Sequence, residues 1–210
     1  MKVAIVTFER FNEIDSFLAL SILNRLSERG VCAEICAPTE FVTSMNGVRV
    51  QAQRPLEFTR EADAVLFGSG RGTLDAISDA SIMDRIQVDP ETQLIGSQCS
   101  GALVLAKLDL LGNMPACTDD MTRPLLEREG VEVHERSFLS QGRVATAGGC
   151  LAAQHLAAWV IRCGFDDDAL MEAVGSVAPV GEFDACVERI VRALDGSAVG
   201  LEFKSADYRA

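Results

Sequence analysis

The chain has 210 residues, 48% of them hydrophobic, which is enough for one large α/β domain with a substantial core. Its net charge of −12, from 19 Lys and Arg against 31 Asp and Glu, speaks against a phosphate-backbone partner, so no nucleic acid is expected. No apolar stretch approaches membrane-spanning length and the first residues show no signal-peptide core, so no membrane partner is expected either.

The elements alternate from the start. Val3–Phe8 reads as a strand and Ile14–Leu26 as a helix with apolar Phe17, Leu18, Ile22 and Leu23; Arg29-Gly30 closes it. Cys32–Ala37 is the next strand, with Cys32 and Cys36 assigned to core packing, and Phe41–Ala52 is a hairpin turning at Asn46-Gly47. Ala64–Phe67 is a short buried strand, followed by the glycine turn Gly68-Ser69-Gly70-Arg71-Gly72 and helical segments near Thr73–Ile77 and Ile82–Ile86. A strand and helix then run from Gln93 to Leu110, a second hairpin spans Ser137–Ala147 with its turn at Gln141-Gly142, and helices follow over Cys150–Cys163, Phe165–Gly175 and Glu182–Leu194. Repeated strand–helix–strand signals without a linker predict a single α/β domain over 1–210, a mostly parallel sheet sandwiched by helices.

The segment Ser97-Gln98-Cys99-Ser100-Gly101 carries the strongest chemical signal. Small residues flank a central cysteine between strand and helix, the spacing of a nucleophile elbow. Such a turn lifts the Cys99 sulfur to the sheet edge and aims free helix N–H groups at it, so a stabilised thiolate is expected there. A buried structural cysteine is the alternative. The other cysteines (32, 36, 117, 150, 163 and 186) make an odd total of seven, scattered through apolar segments, which suits a reducing, cytoplasmic setting without a disulfide framework.

A nucleophile needs a proton partner. Only His134 and His155 exist: His134 sits in a polar alternating segment, and His155 lies in an apolar helix, as a helix-face residue or a group behind the site. Asp15, between Ile14 and Phe17 after the first strand, is placed either in the cleft at the C-terminal sheet edge or simply against the helix dipole. The glycine turn departs from a dinucleotide fingerprint, so its use is the approach of the Gly70 N–H to the Cys99 sulfur.

Together the opening strand, acid-bearing turn, hairpin, glycine turn and cysteine elbow resemble the ThiJ/PfpI superfamily, whose fold is like class I glutamine amidotransferases, a flavodoxin-like layout. His134-Glu135-Arg136 and Ala147-Gly148-Gly149 are similar to the branch that holds isonitrile hydratase and the cysteine domains of some transcription regulators. There an aspartate follows the first strand, matching Asp15; the elbow reads Cys-Thr-Gly, here Cys99-Ser100-Gly101; and Gly70 matches the second glycine of a Pro-Gly-Gly turn. The resemblance implies hydration of isonitriles to N-substituted formamides through a Cys99 thioimidate. Asp15 would handle the proton, and the Ser100 and Gly70 N–H groups would hold developing charge. It further implies a small-molecule substrate, no metal or organic cofactor, and a homodimer with apolar surface on the first helix and first hairpin. The chain departs from the pattern at Ser100, at Arg71 and in lacking the proline of the glycine turn; neither histidine matches a family catalytic one. Two alternatives come with the same residues: a regulatory redox sensor in which Cys99 is oxidised, and a ligand-binding module related to the transcription-regulator branch.

Overall fold

The computed structural model describes residues 1–196 and 198–199; the remaining part of the expected 1–210 domain lies outside the described residues. Strand β1 (Lys2–Val6) leads through residues 7–12 into helix α1 (Glu13–Asn24), whose first turn is capped by Asn12 Oδ1 accepting from the Ile14 N–H at 3.1 Å. Strand β2 (Cys32–Ala37) follows, then the hairpin β3 (Phe41–Thr43) and β4 (Arg49–Gln51), the short β5 (Arg54–Pro55) and β6 (Ala64–Phe67). Beyond the glycine turn come α2 (Thr73–Ser78), α3 (Ala80–Met83) and β7 (Leu94–Gln98), with α4 (Ala102–Lys107) and α5 (Arg123–Arg128) after it. The described residues finish with β8 (Phe138–Gln141), β9 (Val144–Ala147), α6 (Ala153–Gly164), α7 (Asp167–Gly175), α8 (Phe183–Asp195) and β10 (Ala198–Val199).

Among the described residues, eight strands form one sheet in the order β10-β8-β9-β7-β6-β1-β2-β5. All neighbours run parallel except β8 and β9, which are the second hairpin predicted from sequence. The β3–β4 hairpin is a separate antiparallel pair, with Val42 opposite Val50. Side chains alternate across the central strands. Val3 and Ile5 of β1 and Leu66 of β6 join Ile22, Leu23, Leu156 and Trp159 on the face covered by α1, α6, α7 and α8. Ala4, Val6, Val65 and Phe67 join Val104, Leu105 and Leu126 on the opposite face. Burial on both faces explains why these strands read as continuous apolar runs rather than alternating ones.

Three elements were not legible in the sequence: β5, β10 and α5. The first two are only two residues long, too short for a period, and Pro55 lies in an edge strand, the place a residue without an N–H is tolerated. The core assignment of Cys32 is corrected: it is exposed at the start of β2, while Cys36 is buried. The even spacing puts both on one strand face, but β2 enters the sheet from solvent at its N-terminal end. No helix among the described residues is long and apolar enough to cross a membrane.

Candidate functional site

At the end of β7 the backbone turns at Cys99, which has φ +46, a left-handed conformation that costs a non-glycine residue of order 1 kcal/mol or more. A 3-10 turn over Cys99–Gly101 follows, and α4 begins at Ala102. Gly101 permits this geometry: a Cβ there would lie 2.4 Å from the Phe67 carbonyl oxygen, so any side chain would push the elbow off β6. The elbow expected from the small-residue spacing is therefore present. Thr118 Oγ1 donates to the Cys99 carbonyl at 2.9 Å and fixes the turn from behind.

Asp15 reaches this turn. It is 2% exposed in the first turn of α1, and its carboxylate oxygen lies within 4.8 Å of the Cys99 sulfur. Ser69, from the glycine turn, donates its hydroxyl to Asp15 Oδ2, while Oδ1 has no hydrogen-bond partner among the described residues. Burial lifts the Asp15 carboxyl from 3.8 to about 6; the Ser69 hydroxyl and the Cys150 thiol oppose this, and the Asp119 carboxylate adds to it. The cleft placement of Asp15 is the one the structure adopts. The glycine turn is held there by close packing: a Cβ on Gly70 would lie 2.3 Å from the Arg10 carbonyl, and the Asn12 N–H donates to the Ser69 carbonyl at 2.8 Å. These glycines serve backbone approach between the first turn and the β6 turn.

Two expectations are corrected. The Gly70 N–H does not stand free for the Cys99 sulfur; it donates to Ser100 Oγ at 3.1 Å, and that hydroxyl also lies 2.9 Å from Thr73 Oγ1. Ser100 thus ties the elbow to the glycine turn through its short side chain. The donor that reaches the Cys99 sulfur is instead the Gln98 side chain, whose Nε2 lies 3.7 Å away, and the Gly149 backbone, in the turn after β9, acts on the thiol by lowering its pKa. The second correction concerns ionisation. The Cys99 thiol, 4% exposed, is pushed well above its ordinary range by burial and by the negative Asp15 and Asp119, and the Gly149 N–H offsets this only in part. A 3-10 turn and a six-residue helix give too little positive end potential to outweigh desolvation and two carboxylates. Burial and the two carboxylates thus favour the thiol over the thiolate.

Cys150 completes the cluster and was missed. It opens the 3-10 turn Cys150–Ala152 ahead of α6, half-buried, and its sulfur lies within 4.8 Å of both the Asp15 carboxylate and the Cys99 sulfur. Asn12 Nδ2 donates to the Cys150 sulfur at 3.1 Å. Gln98 lies behind, its Nε2 donating to the Gly149 carbonyl at 2.6 Å. Two sulfurs and one carboxylate oxygen are a donor set that a thiophilic cation such as Zn²⁺ would accept. The sequence signal for Cys150 was its place directly after Gly148-Gly149, at the mouth of a helix.

The histidines lie elsewhere. His155 is 5% exposed on α6, edge-to-face with Phe138, and burial beside Arg189 lowers its pKa to about 4. His134 is partly exposed with Nε2 2.9 Å from Glu132 Oε1. Arg71 is exposed.

Residues 1–162 match the model of the DJ-1/PfpI family. Among solved structures, DJ-1 of Schizosaccharomyces pombe is 16% identical, with a TM-score of 0.74 over 85% of this chain and 100% of that one. A ThiJ/PfpI family protein from Pseudomonas syringae is 20% identical, with a TM-score of 0.74 over 92% of this chain and 87% of that one. A DJ-1 superfamily protein from Salmonella typhimurium, solved as a cysteine-to-alanine variant, is 22% identical, with a TM-score of 0.70 over 84% of this chain and 97% of that one. These similarities support the fold, and comparison with curated proteins finds no match. With most of its length covered by that family model and an elbow cysteine at the end of a central strand, the chain belongs to the DJ-1/PfpI family.

Proposed function

We propose that the protein is a cytoplasmic enzyme that hydrates isonitriles to N-substituted formamides, with Cys99 as nucleophile and Asp15 as its proton carrier. The observation that carries this reading is the pairing of the Cys99 thiol with a carboxylate instead of an imidazole. A buried, neutral thiol beside a carboxyl with a pKa of about 6 suits an addition in which one proton changes hands. The thiol proton passes to Asp15 and on to the isonitrile carbon as the sulfur bonds to that carbon, giving a thioimidate. Water then adds to the thioimidate carbon, the C–S bond breaks, the formamide leaves and the thiol is restored. The sum is one isonitrile and one water to one formamide, with no change in oxidation state and no cofactor consumed.

The Ser100 N–H, at the start of the elbow turn, and the Gly149 N–H are the donors assigned to the charge that develops on this path; Gly70 supports them through its bond to Ser100 Oγ. Exposed Leu74, Met121 and Leu151 follow site segments at Thr73, Asp119 and Cys150, and favour a substrate with an apolar substituent. Exposed Ile14 on α1 and exposed Val48 and Phe41 at the first hairpin favour a homodimer; light scattering should return twice the 22.6 kDa chain mass, and a monomer mass at micromolar concentration refutes it.

The test is formamide production from a panel of alkyl and aryl isonitriles. Wild-type protein should turn over at least one, and Cys99→Ala should lose about 10³-fold or more. An inert wild type refutes the substrate class, and an active Cys99→Ala refutes the covalent route. A second reading, oxidation sensing at Cys99, is favoured by the second thiol beside it.

A further inference from the structure

Cys150 has no part in the hydration chemistry, yet it lies in the same small cluster. Its sulfur, the Cys99 sulfur and an Asp15 oxygen all fall within 4.8 Å of one another, whereas a disulfide needs two sulfurs brought to about 2.05 Å. Both cysteines sit on turns and not inside regular helix: Cys99 at the elbow, Cys150 directly after Gly149 with φ +86. They come from different elements, after β7 and after β9, whose strands are neighbours in the sheet with Gln98 level with Ala147. Parallel pairing therefore brings the two chain ends to the same edge. All seven cysteines are free in this structure.

The surroundings supply what exchange chemistry needs. The Asn12 amide donates to the Cys150 sulfur and holds it in place; burial and the Asp15 charge raise the thiol above its ordinary range, which the Asn12 bond opposes. The unpartnered Asp15 Oδ1 is buried in the cluster, in position to take a thiol proton. Cys150 is half-buried while Cys99 is almost closed off, so a reducing thiol from solution meets Cys150 first.

We propose that Cys150 is a resolving cysteine, closing a reversible Cys99–Cys150 disulfide after a hydroperoxide oxidises Cys99. The proposal rests on the reactivity assigned to Cys99, not on the isonitrile as substrate. In the first step the Cys99 sulfur attacks one peroxide oxygen as its proton moves to Asp15; the O–O bond breaks, Cys99 becomes a sulfenic acid, and an alcohol leaves with that proton. In the second, the Cys150 sulfur attacks the Cys99 sulfur; the S–S bond forms, the S–O bond breaks, and water leaves with the Cys150 proton. Two thiols have given two electrons to one hydroperoxide. The bond removes the nucleophile, so it switches the site off, and it spares Cys99 from irreversible over-oxidation to sulfinic acid.

The experiment uses full-length protein treated with EDTA, then with a small excess of hydrogen peroxide, quenched by alkylation in denaturant and mapped by mass spectrometry. The expected result is a linked peptide pair containing Cys99 and Cys150, lost on adding dithiothreitol. In Cys150→Ser the pair is absent, dimedone labels Cys99 as a sulfenic acid, and sulfinic acid accumulates several-fold faster than in wild type. The proposal is overturned if wild-type protein goes to sulfinic acid at the Cys150→Ser rate with no linked pair, or if Cys99 links elsewhere. Failure of the isonitrile assay leaves this map unchanged, so the two readings fail separately.

Discussion

Asp15 and His155 sit on helices that pack side by side, α1 and α6, and both are almost wholly withdrawn from water. Burial drives each toward its neutral form, Asp15 up to about 6 and His155 down to about 4. Their surroundings differ. Asp15 faces a serine hydroxyl and two thiols at the C-terminal edge of the sheet. His155 faces Phe138, within the core that also holds Trp159, and both its ring nitrogens lack a well-formed hydrogen bond among the described residues. A shifted pKa alone would nominate both as functional. What separates them is whether reactive groups converge on the shifted one.

The largest expected effect breaks the comparison directly. Asp15→Asn keeps the shape and can still accept from Ser69, but it cannot carry a proton, so isonitrile turnover should fall by about 10² to 10⁴-fold. His155→Leu removes the other shifted group at similar volume, and turnover per folded molecule should stay within about twofold, the expectation for a group that acts on neither substrate nor proton. Steady-state rates on folded protein, checked by circular dichroism, decide it. Equal losses in the two variants would show that α6 reaches the chemistry, and an active Asp15→Asn would remove the carboxylate from the mechanism.

This contrast also shows what the sequence could carry. The elbow was legible because its constraint is local: Gly101 must be small beneath the Phe67 carbonyl, and that spacing is written in five consecutive residues. The parallel sheet was legible for the same reason, β1 and β6 being apolar runs between turn signals. Asp15 could be nominated but not decided, because its cleft position depends on Ser69 and the glycine turn, more than fifty residues away. Cys150 was missed altogether. Its chemistry arises from the parallel pairing of β7 with β9, which joins segments about fifty residues apart, and no local pattern encodes that register. For the Cys99 thiolate the motif carries only the helix-end effect; the burial and the carboxylates that oppose it appear only in three dimensions. Gly70 was misassigned because a side-chain hydroxyl, Ser100 Oγ, took the N–H first.

The smaller effect is on stability, and it sharpens the comparison because the two groups act in opposite directions. Asp15 binds its proton more tightly folded than unfolded, since its ordinary value is 3.8 and its folded value about 6. Its contribution is fully present below about pH 4 and is lost as pH rises through 6. His155 is the reverse: from an ordinary 6.5 it falls to about 4, so its neutral form costs the folded state nothing above pH 6.5, and stability is lost as pH falls toward 4. Each shift is worth about 3 kcal/mol between its plateaus, by the rule of about 1.4 kcal/mol per pKa unit. The two slopes therefore nearly cancel between pH 4 and 6.5 in the wild type. Removing one should reveal the other. Measured by urea unfolding, the stability of Asp15→Asn relative to wild type should climb by about 3 kcal/mol from pH 4 to 6.5, and that of His155→Leu should decline by a similar amount. Using differences from wild type cancels the lowered carboxyls elsewhere, such as Glu57 beside Arg85, which titrates near 2. A flat difference for Asp15→Asn would mean that its carboxyl is ionised at neutral pH at no cost, and the shared-proton mechanism with Cys99 would lose its basis. A flat difference for His155→Leu would mean that the α6 histidine finds a partner when charged, and the contrast between the two helices would close.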